Sequence, residues 1–184
     1  MLDNIVLGMI LDEPRTGYDI KKLIEAGVGN FYKVSYGNLY PALKRLADER
    51  LVTLDEQTHG KKVKKYYIAT DDGKKSFMEW LSIPFDHSLG GEALMVKIFF
   101  FGRLPEDARR RQLGEYEVHF RQSLRKLMAM EKAILKEEGE TVDYFEISTL
   151  YLGIRNTQIA IDWVKYIMRQ KPLPDFLGQC GEYI

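Results

Sequence analysis

Cysteine is scarce in this sequence, with one in 184 residues. A single cysteine excludes an internal disulfide and any cysteine-based metal cluster, and it fits the reducing cytoplasm. Cys180 lies near the C-terminus with no basic neighbour in sequence, and it reads as an inert thiol. Histidine is sparse too. His59, His87 and His119 stand far apart without a paired ligand spacing, so neither a metal site nor a cofactor is expected. No phosphate-cradling glycine motif occurs, because Gly27-x-Gly29 lacks the rest of the pattern. Glu137-Glu138 and Asp71-Asp72 read as helix-end and capping charges, not as an acid and base pair, so no enzyme is expected. Long apolar runs are missing as well. The longest block, Ala93 to Phe101, is broken by Lys97 and falls far short of the roughly 18 residues a membrane helix needs. Met1-Leu2-Asp3-Asn4 is acidic and polar, unlike a secretory leader. Net charge is absent too, with 27 Lys+Arg against 27 Asp+Glu. Composition therefore gives no global argument for nucleic acid, and any such argument must be local.

The residues that are present describe a mainly α chain. A 45% hydrophobic and 12% aromatic content can fill a core. Ile5, Val6, Met9 and Ile10 recur at helical spacing, so a first helix is expected over Asn4–Leu11, capped by Asp3 or Asn4. A Pro-Gly break follows at residues 13–17, then a second helix over Tyr18–Ala26 with Tyr18, Ile20, Leu23 and Ile24 turned inward. Ser35 is an N-cap candidate for a third helix reaching Arg50, whose Leu39, Leu43 and Leu46 make an i, i+4, i+7 stripe. Pro41 lies early in it and leaves its first turn open to two readings, a tight start at Ser35 or a start nearer Leu39. Two strands are expected next, Leu51–Glu56 and Val63–Ala69, joined by a tip over Thr58–Lys62. Three helices and a hairpin in this order make a winged helix-turn-helix. A further helix ends near Leu81, and residues 83–91, with Pro84 and two glycines, read as a linker. Residues 1–82 and 92–184 are then two domains, the second helical. Its long helices are expected from about Leu104 to Glu138 and from about Asp143 to Arg169.

Two local features carry function. Lys61, Lys62, Lys64 and Lys65 crowd the hairpin tip without an acid among them. A cationic β-tip suits phosphate contact or minor-groove entry, although lysines also protect bare strand edges. The third helix offers Ser35, Gly37 and Asn38 near its N-terminus, where a helix in the major groove meets base edges. Asn38 can pair with adenine, Tyr36 and Tyr40 can touch thymine methyls or phosphates, and Lys44 can reach the DNA backbone. The competing reading is that Ser35 and Asn38 only cap the helix while the tyrosines pack.

Gly17-Tyr18-Asp19-Ile20, then Leu39-Tyr40-Pro41-Ala42-Leu43-Lys44-Arg45-Leu46, then Tyr67-Ile68-Ala69-Thr70 with Gly73, resemble the PadR family of bacterial transcription regulators. Val96-Lys97-Ile98-Phe99-Phe100 and the late Trp163 resemble the longer, virulence-activator-like C-terminal domain of one subgroup. The resemblance implies a homodimer that binds double-stranded DNA through a winged-helix domain, pairs through a helical C-terminal domain and represses transcription. It also implies a small aromatic effector, for which the Phe99-Phe100-Phe101 run or Trp163 and Tyr166 are candidate contacts. Ordinary core or interface packing is the competing role for both groups. The family often has glycine where Arg50 stands here, so Arg50 either leaves the left-handed region or tolerates a costlier turn. The last long helix is apolar around most of its circumference, and Leu150, Ile154, Ile161, Val164 and Met168 form the stripe expected to meet a second copy. A dimer would read a palindromic site with half-sites roughly 34 Å, or a multiple of that, apart. The alternative is a winged-helix module that binds protein and not DNA, which the neutral net charge favours.

Overall fold

The computed structural model describes residues 1–59, 62–86 and 90–178. By packing they form two compact units, Met1–Glu106 and Asp107–Ile184. The first holds α1 (Leu2–Met9), β1 (Arg15–Thr16), α2 (Gly17–Gly27), α3 (Tyr36–Asp48), β2 (Val52–His59), β3 (Lys62–Ala69), α4 (Asp71–Ser82) and α5 (Gly91–Phe99). The long helices are α6 (Glu106–Glu138), α7 (Tyr144–Met168) and the short α8 (Leu173–Gly178). The mainly α class and the winged helix-turn-helix order are as expected.

The first unit is organised around α3. Leu39, Leu43 and Leu46 are all at most 1% exposed, packed with Ile5 and Val6 of α1 and Ile20 and Ile24 of α2 in one core. Burying such side chains stabilises by about 1.5–3 kcal/mol each. The start of α3 is now fixed at Tyr36, with Ser35 as its cap. Pro41 therefore sits in the second turn and removes the helical bond to the Gly37 carbonyl. Both residues are exposed, so water can satisfy that carbonyl. α1 departs from expectation. It begins at Leu2, and neither Asp3 nor Asn4 caps it. Asp3 instead accepts hydrogen bonds from the Arg45 guanidinium of α3 at 2.6 and 3.4 Å. Tyr18 also departs, being 53% exposed where an inward position was expected.

Arg50 does occupy the left-handed region, with φ 60°. The Leu51 amide donates to the Leu46 carbonyl and the Arg50 amide to the Ala47 carbonyl, the paired bonds of a Schellman ending. The fold thus accepts the costlier turn, because it closes α3 and starts β2 within two residues. Replacing Arg50→Gly should raise stability by up to about 1 kcal/mol, and Arg50→Val should lower it, as read by urea unfolding. Equal stability of the two variants would contradict the strain.

The sheet has the order β1-β3-β2, all antiparallel. β2 and β3 pair from Val52↔Ala69 out to His59↔Lys62, so the hairpin arms are longer and its tip shorter than the sequence suggests. β1 was read as part of a break. Its two residues pair with Tyr67 and Tyr66 of β3.

α5 packs in the first unit, and the packing boundary falls at Glu106, later than the break in sequence at 83–91. The reason is a close approach at Gly8 of α1. A Cβ there would lie 2.5 Å from the Phe100 ring, which stacks edge-on against Phe77 of α4 at 5.3 Å. Phe100 and Phe101 are core, whereas Phe99 is 48% exposed. Lys97 is 4% exposed. Its ammonium donates to the Ile83 carbonyl at the end of α4 and lies 5.7 Å from the Trp80 ring centre. Burial pushes its pKa down from 10.5 to about 8. Between those values the unfolded chain holds a proton that the folded chain has shed, so stability from this site rises with pH across that window and its cost is fully present below pH 8. The stability difference between wild type and Lys97→Met should therefore move in favour of wild type between pH 7.5 and 10, measured by urea midpoints. A difference independent of pH would refute it.

In the second unit α6 and α7 run antiparallel. Leu127 meets Gly153, Glu131 accepts from the Tyr151 hydroxyl, and Ile134 shares a small cavity with Ile147 and Leu150. α8, which the sequence did not suggest, sets Phe176 in a tilted contact against Tyr166 of α7, with ring centres 5.4 Å apart. Cys180 and His87 lie outside the described residues.

Candidate nucleic-acid interface

Burial of one edge of α3 leaves the other bare. Ser35, Tyr36, Gly37, Asn38, Tyr40 and Lys44 are all exposed and lie on its solvent side. The capping is reciprocal: Ser35 Oγ accepts from the Asn38 amide at 3.3 Å, and Asn38 Oδ1 accepts from the Ser35 amide at 2.8 Å. Both thus do the capping work that was weighed against base contact. Asn38 keeps its side-chain NH₂ exposed, while its oxygen is already engaged. Tyr36 and Tyr40 do not pack inward. Their rings stack on each other at 5.9 Å and remain nearly half exposed.

The structure adds residues that helical spacing alone did not reveal. Lys21 of α2 lies over the Tyr36 ring at 5.1 Å, and Lys22 over the Tyr18 ring at 4.7 Å. A hydrogen bond from Lys22 to the Tyr18 hydroxyl raises the lysine pKa, and a bond to Glu25 does the same for Lys21. Tyr40 lies against Gly17 at the start of α2, where a Cβ would come within 3.1 Å of its ring. That contact is absent from any one-helix pattern, because it joins residues 23 apart in sequence. The exposure of Tyr18 would have been legible from its spacing, since it lies two residues before the buried Ile20 and so on the other side of α2.

Tyr40 and the wing face each other across an open cleft of about 540 Å³. Tyr18, Val63, Lys64, Lys65 and Tyr67 line it as well. Burial pushes the Tyr67 phenol up, and the nearby Tyr40 adds to that. Lys64 is exposed, with no carboxylate within salt-bridge distance among the described residues. Lys65 pairs with Glu56, Nζ to Oε1 2.8 Å, and that hydrogen bond raises its pKa. Lys61 and the Lys62 side chain lie outside the described residues. Arg45 is tied to Asp3 and points away from duty as a free cation.

A second cavity, of about 510 Å³, opens between α1, α2 and the end of α5. Met9, Leu23, Phe99 and Phe100 supply apolar walls, and Arg103 binds Asp12 through both guanidinium nitrogens at 3.0 and 2.6 Å on its rim. That contact holds the Asp12 carboxyl below its ordinary range. Of the other two candidate effector contacts, Tyr166 is buried under Phe176 and Lys171, and Trp163 is half-buried.

The stripe expected to meet a second copy is already covered within the chain. Leu150, Ile154, Ile161 and Val164 are 9, 8, 5 and 0% exposed, and Met168 is half-buried. Helical periodicity finds an apolar stripe but does not say whether the same chain or another covers it. Tyr144, Phe145, Tyr151 and Leu152 are exposed apolar residues of α7, in two pairs at i, i+7 spacing, with the Tyr151 hydroxyl tied to Glu131 of α6.

A helix with one buried edge, a bare polar-aromatic edge and an adjoining lysine-bearing hairpin defines a winged helix-turn-helix regulator. The chain belongs to the PadR-like family of transcriptional regulators, whose model matches residues 6–79, and a virulence activator alpha C-terminal model matches residues 92–170. This is a family of regulators, not enzymes. The chain is 32% identical over 107 residues to the negative transcriptional regulator PadR of Bacillus subtilis, a match spanning 56% of this chain and 58% of that one. It therefore spans under two thirds of that relative's length. An uncharacterised protein of Lysinibacillus sphaericus is 32% identical over 81 residues, 42% of this chain and 72% of that one. Among solved structures, Bacillus subtilis PadR with operator DNA matches at 23% identity and TM-score 0.45, covering 92% of this chain and 98% of that one. The same protein with p-coumaric acid matches at 23% identity and TM-score 0.42, covering 92% and 97%.

Asn38→Ala should remove one half of the reciprocal cap and cost about 0.5–2 kcal/mol in thermal unfolding. Asn38→Asp keeps the acceptor and should cost much less. Equal losses would show that the cap is not what holds the start of α3.

Proposed function

We propose that this regulator binds double-stranded DNA as a homodimer, with residues 1–82 as the reading domain and 92–184 as the pairing domain. The observation that carries this is the open cleft shared by Tyr40 of α3 and the lysine-bearing wing, beside a helix edge left bare along its first two turns. In this reading Ser35, Tyr36, Asn38 and Tyr40 meet base edges, and Lys44, Lys61, Lys62, Lys64 and Lys65 anchor phosphates. Lysine suits that division, since it binds phosphate as a point charge without bidentate base reading. The operator is palindromic because a two-fold protein presents two such helices. Pairing uses the exposed apolar residues of α7, Tyr144, Phe145, Tyr151 and Leu152, with Met168 at the edge of the buried stripe. The negative role of the Bacillus subtilis relative supports repression.

The cavity beside Phe99 is the site proposed for a small aromatic effector. Its size lies in the range of small-molecule pockets, about 300–1,000 Å³, and it joins aromatic walls to a charged rim. p-Coumaric acid, which the Bacillus subtilis protein binds, is the first compound to try.

The test is a gel shift with the duplex upstream of the protein's own gene, on protein shown to be dimeric by light scattering. The expected result is a shifted band, lost at high salt, with Tyr40→Ala altering preference among sequences by about 1–3 kcal/mol per lost base contact. Leu152→Glu should give monomer and abolish the shift. A dimer that shifts no duplex even at low salt would favour the protein-binding alternative, which the zero net charge supports.

A further inference from the structure

The wing is not the uniformly cationic tip that its lysine count suggests. Glu56 of β2 stands directly opposite Lys65 of β3 in the ladder, and their side chains meet at 2.8 Å. Both are more than half exposed, at 54% and 59%. Alternation along the hairpin puts this pair on the same face as Leu54↔Tyr67 and Val52↔Ala69. That face is buried only at its root, at Val52, Tyr67 and Ala69, and opens to solvent from Leu54 outward; Tyr67 and Lys65 line the cleft with Tyr40. A carboxylate therefore stands beside an exposed lysine that lines the cleft, within reach of the same ammonium. The next lysine, Lys64, faces Gln57 across the ladder, so its strand partner carries no charge.

We propose that Glu56 is a built-in competitor for DNA phosphate at Lys65, so that the wing meets DNA with one of its lysines already neutralised. The inference rests on the DNA-binding reading above. A carboxylate and a phosphate are both anionic acceptors for one ammonium. An ammonium that already has a carboxylate displaces no net counterion from DNA, and the displaced carboxylate would repel the same backbone. Glu56 thus sets the affinity and salt dependence of the wing, keeping sequence-independent attachment weak relative to base reading by α3.

The experiment uses wild type, Glu56→Gln, Lys65→Gln and the double variant in the full chain, with a fluorescent random-sequence 30-base-pair duplex titrated at several salt concentrations. Thermal unfolding midpoints should agree among the four, since the pair is exposed. Glu56→Gln should steepen the plot of log affinity against log salt by about 0.9 per bound protomer, which is about eightfold tighter binding per protomer at 0.1 M salt. Lys65→Gln should flatten it by a similar amount, and the double variant, with its charge balance restored, should return to the wild-type slope. Identical slopes for wild type and Glu56→Gln, with a loss only in Lys65→Gln, would show that Lys65 reaches phosphate unhindered and overturn the proposal. Failure of wild-type dimer to bind the duplex at low salt is a different result. It would overturn the DNA-binding reading and this inference with it.

Discussion

Everything in the first unit depends on α3 being gripped along one edge and left bare along the other. Three leucines provide the grip, each almost wholly removed from water. Arg45 adds a polar tie to α1 through Asp3 at the far end of the helix. On the bare edge lie the residues that a core could not use: a glycine, a proline in the second turn, a capping asparagine and two stacked tyrosines. A proline at that depth would break a helix that relied on its own hydrogen bonds. Here the tertiary grip replaces what the backbone loses.

Charge is organised on the same local scale. The chain is neutral overall, and several of its surface cations are matched by nearby acids, as at Lys21 with Glu25 and Arg103 with Asp12. Lys64 and Lys44 have no carboxylate partner among the described residues. A neutral regulator of this kind avoids the broad attraction to any polyanion that a strongly basic protein would have. Its contact with a duplex would be decided by a few side chains whose neighbours have left them free.

Periodicity made the core of the first unit legible: the α3 leucines, the inward residues of α1 and the alternation of the wing all follow from the order of apolar residues. The cap at Ser35 was legible from sequence, and Asp143, placed at the start of α7, proves to be its cap. The features that escaped share one physical cause, which is that they depend on a second segment. Two residues of β1 have no period and exist only because β3 offers them an edge. Asp3 looks like a cap until Arg45 is near it. Glu56 and Lys65 become opposite only when the register of the hairpin is known. The α7 stripe is apolar whether it faces the same chain or another, so its assignment to a partner could not be settled by spacing.

The junction at Arg50 and Leu51 joins these themes. The Leu51 amide closes α3, its carbonyl accepts from the Thr70 amide at the end of β3, and the Thr70 hydroxyl donates to the Arg50 carbonyl. Helix end and both roots of the hairpin are thus knotted at one point, with Gly73 of α4 pressed against the same Leu51 carbonyl. The distance between α3 and the wing is set there, not at the tip. Relatives that diverge by insertion or deletion can lengthen the hairpin at its outer end, two residues at a time, without turning a side chain to the wrong face. A single residue added between positions 49 and 52 would rotate the whole wing against the helix. The root of the wing is where this architecture has no freedom to drift.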